Sequence, residues 1–162
     1  MKPKRQTHES YLEKNHLVRI RNIEQSDRKQ WDPLWQAYLD FYEATVSDET
    51  TDVTWQRFFD STHEFTGFVA EEDGKILGIA HAMLRQSTWE KVGEMYLEDL
   101  YVLPEARGKG IGRAMINHVK EHAIATGAGC MYWQTKAGNA TARILYDSIT
   151  KNNDYVQYMI KL

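Results

Sequence analysis

A chain of 162 residues with formal net charge −3, 42% hydrophobic and 27% charged residues has the size of one domain and the make-up of an ordinary globular protein. The acidic balance argues against a general nucleic-acid binder, whose affinity comes from neutralising phosphates, and no apolar run reaches the roughly 18 residues a membrane span needs. The polar start MKPKRQTHESYLEKNH has no secretory core, and the single cysteine, Cys130, excludes an internal disulfide, so a soluble, cytoplasmic protein without membrane or nucleic-acid partners is expected.

Residues 1–16 read as a polar arm and residues 17–162 as one folded domain. Charge is segregated: residues 1–21 carry six Lys/Arg against two Glu, and residues 40–60 carry six Asp/Glu against Arg57 alone. The alternation in HLVRIRNI predicts a first strand. SDRKQWDPLWQAYLDFYEA then offers Ser26 as an N-cap and apolar residues at helical spacing, with Pro33 either kinking that helix or opening a second one capped by Asp32. A further helix is expected over VTWQRFFDSTHE.

Two apolar runs flank Asp73-Gly74, a strong hairpin signal. GEMYLEDLYVL follows as a strand, and the loop after it opens a helix in which Ile111, Met115, Val119 and Ala123 recur every four residues up to a C-cap glycine, Gly127. The strand GCMYWQT, the helix NATARILYDSI and a last strand YVQYMIKL complete the pattern. The order predicts an α/β domain with a mixed sheet. Trp31, Trp35, Trp55, Trp133 and Cys130 are assigned to core packing.

The loop RGKGIG, residues 107–112, sits between a strand and a helix, with three glycines that let backbone N–H groups converge on an anion. A dinucleotide fingerprint wants a glycine where Arg113 stands, and a phosphate-binding P-loop wants G-x-x-x-x-G-K-[ST], which is absent. A third candidate is an acyl-CoA loop. With Arg107, Gly110 and Gly112 meeting [QR]-x-x-G-x-[GA], and with YLEDLYVLPEARGKGIGRAMINHV and NATARILY in order, the chain resembles the GCN5-related N-acetyltransferases. The motifs look closest to the spermidine/spermine acetyltransferases and the fungal Hpa-type histone and polyamine acetyltransferases.

The resemblance implies the GNAT acyl-CoA N-acyltransferase fold, a mostly antiparallel sheet with flanking helices, and acetyl-CoA as cosubstrate with no metal. It places Leu100, Tyr101 and Val102 beside the pantetheine amides, Arg107, Gly108, Lys109, Gly110, Ile111, Gly112 and Arg113 around the pyrophosphate, and Asn139 and Ala142 along the pantetheine arm. Tyr146 is carried over as the general acid for the departing thiolate and Glu98 as the carboxylate that takes the proton of the amine. For the acceptor the resemblance points to Tyr42, Glu43, Trp89 and Glu98, with Glu94 and Asp99 adding negative field for a small cationic amine or a lysine-containing peptide. A homodimer, through the C-terminal strands, is implied as well.

The chain departs from the family after Tyr146, where Thr150 and Lys151 take the place of a glycine–aromatic pair. Other readings are a non-catalytic acyl-CoA sensor, and an acetyltransferase for an aminoglycoside or an amino acid. HVKEH, residues 118–122, matches the H-x-x-E-H of inverted zinc peptidases, but no third ligand is offered downstream and no metal is expected.

Overall fold

The computed structural model describes residues 18–162, so the arm expected over residues 1–16 lies outside the described residues. Five strands form one sheet in chain order: β1 (Arg19–Asn22), β2 (Phe65–Glu72), β3 (Lys75–Arg85), β4 (Glu94–Val102) and β5 (Cys130–Trp133). Neighbours are antiparallel from β1 to β4, and β5 joins β4 in parallel, the mixed sheet that the pattern predicts and the mostly antiparallel one that the family resemblance implies. The helices are α1 (Arg28–Phe41), α2 (Asp48–Arg57), α3 (Ile111–Thr126) and α4 (Ala140–Asp147).

Each face of the sheet carries its own core. On one side Trp31, Leu34, Trp35 and Leu39 of α1 and Trp55 of α2 pack on Ile76, Ile79 and Tyr101. On the other, Met115, Ile116, Val119 and Ala123 of α3 cover Phe68, Ala80, Met95 and Leu97, with Leu145 and Tyr146 of α4 half-buried beside them. Trp133 is only half-buried and packs edge-on against Tyr146, ring centres 5.5 Å apart.

Local chemistry sets the element ends. Asp73 and Gly74 take φ values of 51° and 79°, the paired left-handed torsions of a tight hairpin. Ser26 does not cap α1, because it lies in a 3-10 turn, Gln25–Asp27, and Asp27 is the residue at the helix start. The Asp27 carboxylate accepts the Glu24 N–H at 2.7 Å and the Arg21 guanidinium at 2.7 and 2.9 Å. Pro33 neither ends α1 nor opens another helix. Standing early in α1, it leaves only the Lys29 carbonyl without its helical donor. Helix α2 starts earlier than the apolar pattern predicts, at Asp48, because the Ser47 hydroxyl accepts the Thr50 N–H at 3.1 Å and caps it there.

Two further expectations fail in the fold. Residues 150–162 form neither strand nor helix, and the apolar side chains of YVQYMIKL stand in solvent, Tyr158 at 93% exposure and Ile160 at 87%. A β-prone run makes a strand only where an edge accepts its hydrogen bonds, and Asp154, at φ 60° with its N–H on Asn152 Oδ1 at 2.9 Å, turns the chain before this segment. Cys130 is exposed instead of buried, since it opens the edge strand β5; partial burial and the carboxylates of Glu94 and Glu90 push its thiol pKa up, away from a reactive thiolate.

Candidate active site

A bulge and a parting of strands create the site. Strands β3 and β4 match residue for residue from Arg85 opposite Glu94 to Ala82 opposite Leu97, after which His81 faces Asp99 and Glu98 is the extra residue. The insertion exchanges the faces of β4. Met95 and Leu97 enter the α3 core, whereas Tyr101 packs on the α1 side and Asp99 reaches His81 there. On its other edge β4 pairs with β5 only from Glu94 to Leu97. Beyond that point the two strands separate, and the β4 backbone from Glu98 to Val102 faces an opening instead of a neighbour among the described residues.

The opening is a cleft with two joined parts. The outer part, about 410 Å³, is walled by Tyr38, Tyr42, Tyr96, Glu98, Asp99, Gln134, Thr135, Lys136 and Gln157. The inner part is narrow and runs between Glu98 and Leu100 on β4 and Trp133, Gln134 and Tyr146 opposite, with Tyr38 and Tyr42 closing the side. Lys136 ties the mouth together: its ammonium donates to the Tyr42 carbonyl at 3.3 Å and lies 5.4 Å from the centre of the Tyr42 ring.

Charges inside the cleft are shifted. Glu98 is raised above the ordinary carboxylate range, first by loss of water and next by the neighbouring Asp99. Burial, followed by proximity to Tyr42, pushes the Tyr146 phenol up to about 12, so it carries its proton at neutral pH. Tyr38 is raised further, by burial and then by Asp99, and Tyr96 by burial and then by Glu98.

Behind the cleft, Gly108 and Gly110 adopt φ values of 77° and 81°, and a side chain built at either would meet nothing within 4 Å. These glycines are therefore required for backbone direction and not for packing. Gly110 leads into α3, whose first-turn N–H groups have no intrahelical acceptors and attract negative charge. Arg107 folds back, donating from Nε to the Val102 carbonyl at 2.9 Å and lying over the Tyr101 ring, and Arg113 donates to Ser148 Oγ at 2.7 Å. A side chain built at Gly112 would meet Leu145 Cδ2 at 3.3 Å, so the bare backbone lets α3 and α4 come together behind the loop. An open glycine turn at a helix start, beside an unpaired strand edge, fits the pyrophosphate and amide-bearing arm of acyl-CoA.

The fold gathers Tyr42, Glu98, Leu100 and Tyr146 on one cleft, and Asn139 and Ala142 lie on the α4 side of it, two turns and one turn before Tyr146. Asn139 donates from Nδ2 to Thr135 Oγ1 at 3.0 Å. Glu43 and Trp89 are not gathered. Glu43 is exposed past the end of α1 at φ 54°, and Trp89 stands 84% exposed in the loop before β4; neither lines the cleft. Sequence reasoning missed Tyr38, which the helical period assigns to packing, and Tyr96, Gln134 and Lys136. It also missed His81, a polar residue inside the apolar run ILGIAHAML, and that interruption was the signal. His118 and His122 both lie edge-on to Phe68, and His122 Nε2 is 3.3 Å from Thr66 Oγ1.

The family model described as "Acetyltransferase (GNAT) family" matches residues 31–149. The D-amino-acid N-acetyltransferase HPA3 of Saccharomyces cerevisiae is 33% identical over 146 residues, 89% of this chain and 91% of that one. A thialysine N-epsilon-acetyltransferase of Bos taurus is 36% identical over 74 residues, 46% of this chain and 43% of its own. Among solved structures, AAC(6')-Iy in complex with the bisubstrate analogue CoA-S-monomethyl-acetylneamine superposes with a TM-score of 0.78 at 19% identity, covering 90% of this chain and 99% of that one, a likeness of fold. The chain belongs to the GNAT acetyltransferase family. It is an acetyl-CoA-dependent N-acetyltransferase.

Proposed function

We propose that residues 17–162 form one acetyltransferase domain that moves acetyl from acetyl-CoA to a primary amine held in the outer cleft, a polyamine or lysine-type amine. The observation that carries this reading is that Glu98 and Tyr146, on opposite walls, line the same narrow passage. Glu98, raised toward neutrality, takes the proton of the amine, and Tyr146, still protonated, donates to the thiolate as it leaves. Acetyl-CoA, when bound, supplies the activated acyl group. Its pyrophosphate is assigned to the N–H groups of Gly108 to Arg113, and its arm to the free edge of β4 at Leu100 to Val102 and to Asn139 and Ala142. The acidic and aromatic wall of Tyr38, Tyr42, Tyr96, Glu98 and Asp99 suits a cation, by charge and by ring faces.

One observation favours a second acceptor class. Lys136 puts a positive group at the mouth of the same cleft, which suits an amine that also bears a carboxylate, and the similar yeast protein is named for D-amino acids. A homodimer joined through residues 150–162 and a cytoplasmic location are part of the proposal. The test is release of free CoA thiol from acetyl-CoA with spermidine, spermine, thialysine, basic peptides, aminoglycosides and free amino acids. Turnover with polyamines or thialysine is the expected result. Turnover with α-amino acids alone would move the acceptor to the second class, and acetyl-CoA binding without any turnover would place the acceptor outside both classes.

A further inference from the structure

Behind the cleft wall lies a buried polar chain that acetyl transfer, as described above, does not use. His81, 2% exposed, sits in an aromatic cage with ring centres at 4.7 Å (Phe58), 5.5 Å (Trp35) and 5.7 Å (Trp31). The Trp31 indole Nε1–H donates to His81 Nε2 at 2.9 Å. An indole nitrogen can only donate, so Nε2 must offer its lone pair and the ring proton resides on Nδ1. Nδ1–H then donates to Asp99 Oδ2 at 2.9 Å. Asp99 is 9% exposed, and Tyr38 of α1 stands on the same cleft wall, its phenol raised by burial and then by the Asp99 charge. One tautomer, fixed by a tryptophan, thus holds one carboxylate orientation.

That carboxylate forms part of the wall of the outer cleft, next to Glu98. Its hydrogen-bond partner behind the wall is an imidazole N–H, which satisfies a lone pair without being a guanidinium or ammonium group. A carboxylate with little water and such partners is best completed by a cation from the cleft side. The β4 bulge at Glu98 is what turns Asp99 to this face and toward His81.

Accordingly, we propose that His81 is a positioning residue for the acceptor: it locks Asp99 so that the Asp99 carboxylate holds the cationic nitrogen of the incoming amine in the outer cleft. The inference rests on the acetyl-transfer reading only for the meaning of that amine, because the holding itself is a binding event. Asp99 is the group that touches substrate, and His81 acts through it. Trp31 sets the tautomer of His81.

The test is calorimetric binding of amines to the full-length protein with CoA present, alongside thiol release. Spermidine, thialysine, a free amino acid and an aminoglycoside are screened, and the one that binds the parent most tightly is carried through the variants. Asp99→Asn is expected to weaken that binding by at least about tenfold, and His81→Phe, which keeps the ring and removes both nitrogens, by a similar factor. In steady state these losses fall on KM, with kcat within about threefold of the parent. His81→Asn, whose amide can donate from the place of Nδ1, restores most of the affinity, which mere filling of the cage would not predict. The double variant Asp99→Asn/His81→Phe is expected to be no weaker than Asp99→Asn alone, since both remove one interaction. Should His81→Phe fail to fold, the His81→Asn and Asp99→Asn pair still decides. Parent-like affinity in folded Asp99→Asn, additive losses in the double variant, or no binding of any screened amine by the parent would overturn the proposal. An amine that binds through Asp99 but is never acetylated would leave it standing and remove the transfer reading instead.

Discussion

In the proposed transfer Glu98 and Tyr146 divide the proton work of the cleft, because their surroundings shift them in the same direction with opposite consequences. A phenol pushed up to about 12 is a better-held donor, and a carboxylate raised by burial and by Asp99 is a stronger base once ionised. Tyr146→Phe is expected to cut kcat at least tenfold with acetyl-CoA affinity nearly unchanged, as measured by thiol release and by titration with CoA, a loss of about 1.4 kcal/mol or more of transition-state stabilisation. Glu98→Gln is expected to remove the acidic limb of the kcat/KM profile, a limb that in the parent lies above the ordinary carboxylate range. The same shift has a sign for stability. A carboxyl with a raised folded pKa binds its proton more tightly folded than unfolded, so its contribution favours folding below the unfolded value and is lost as pH rises through the folded one. Glu98→Gln, which stays neutral, should therefore melt higher than the parent near pH 7 and at the same temperature near about pH 4. Equal melting at both pH values would show that Glu98 is not desolvated in the folded protein.

Elements are where the sequence was most legible, and where its limits have physical causes. Strands β2, β3 and β4, the helix after the glycine loop and the Asp73-Gly74 hairpin all follow from signals inside a few residues: alternation, a four-residue apolar period and glycines at left-handed torsions. What depended on a distant partner was not legible. The face exchanged by the Glu98 bulge, the point at which β5 leaves β4, and the indole that fixes His81 each arise between segments far apart in the chain. Cys130 illustrates the same limit: its apolar neighbours suggest burial, but exposure is decided by an edge position in a sheet whose order sequence does not print. At the glycine loop the prediction is local again. Because a side chain at residue 110 would meet nothing within 4 Å, Gly110→Ala introduces no clash, and its cost is that of a φ of 81°, about 1–2 kcal/mol. Lower thermal stability is expected together with weaker CoA binding. Relief of the strain by re-aiming the loop's N–H groups would spare stability at the expense of CoA affinity alone, and unchanged CoA affinity would take this turn out of the cradle.

On the scale of the whole molecule the two cores and the last thirteen residues obey different rules. The sheet buries Trp31, Phe68, Ile79 and Met115 almost completely, while Tyr155, Val156, Tyr158, Met159, Ile160 and Leu162 are all at least 75% exposed within a span of eight residues. Scattered exposed apolar residues are ordinary, whereas a contiguous run of this kind is the sort of surface that the proposed dimer would cover. Its aromatic and β-branched residues are those of a strand, and in chain order it follows α4, which packs beside the site. The proposed dimer gives the run a partner: strand pairing between two copies would bury these side chains, and Gln157, which already lines the outer cleft, ties the segment to the acceptor site. A chain ending at Asp154 should therefore run as a monomer in sedimentation where the full chain runs as a dimer, and its KM for the amine should rise while CoA affinity holds. Its melting temperature should fall only by the dimer's concentration-dependent share, because neither core loses a contact. If the full chain sediments as a monomer, or the shortened one stays dimeric, the interface lies elsewhere and the C-terminal run has no part in assembly.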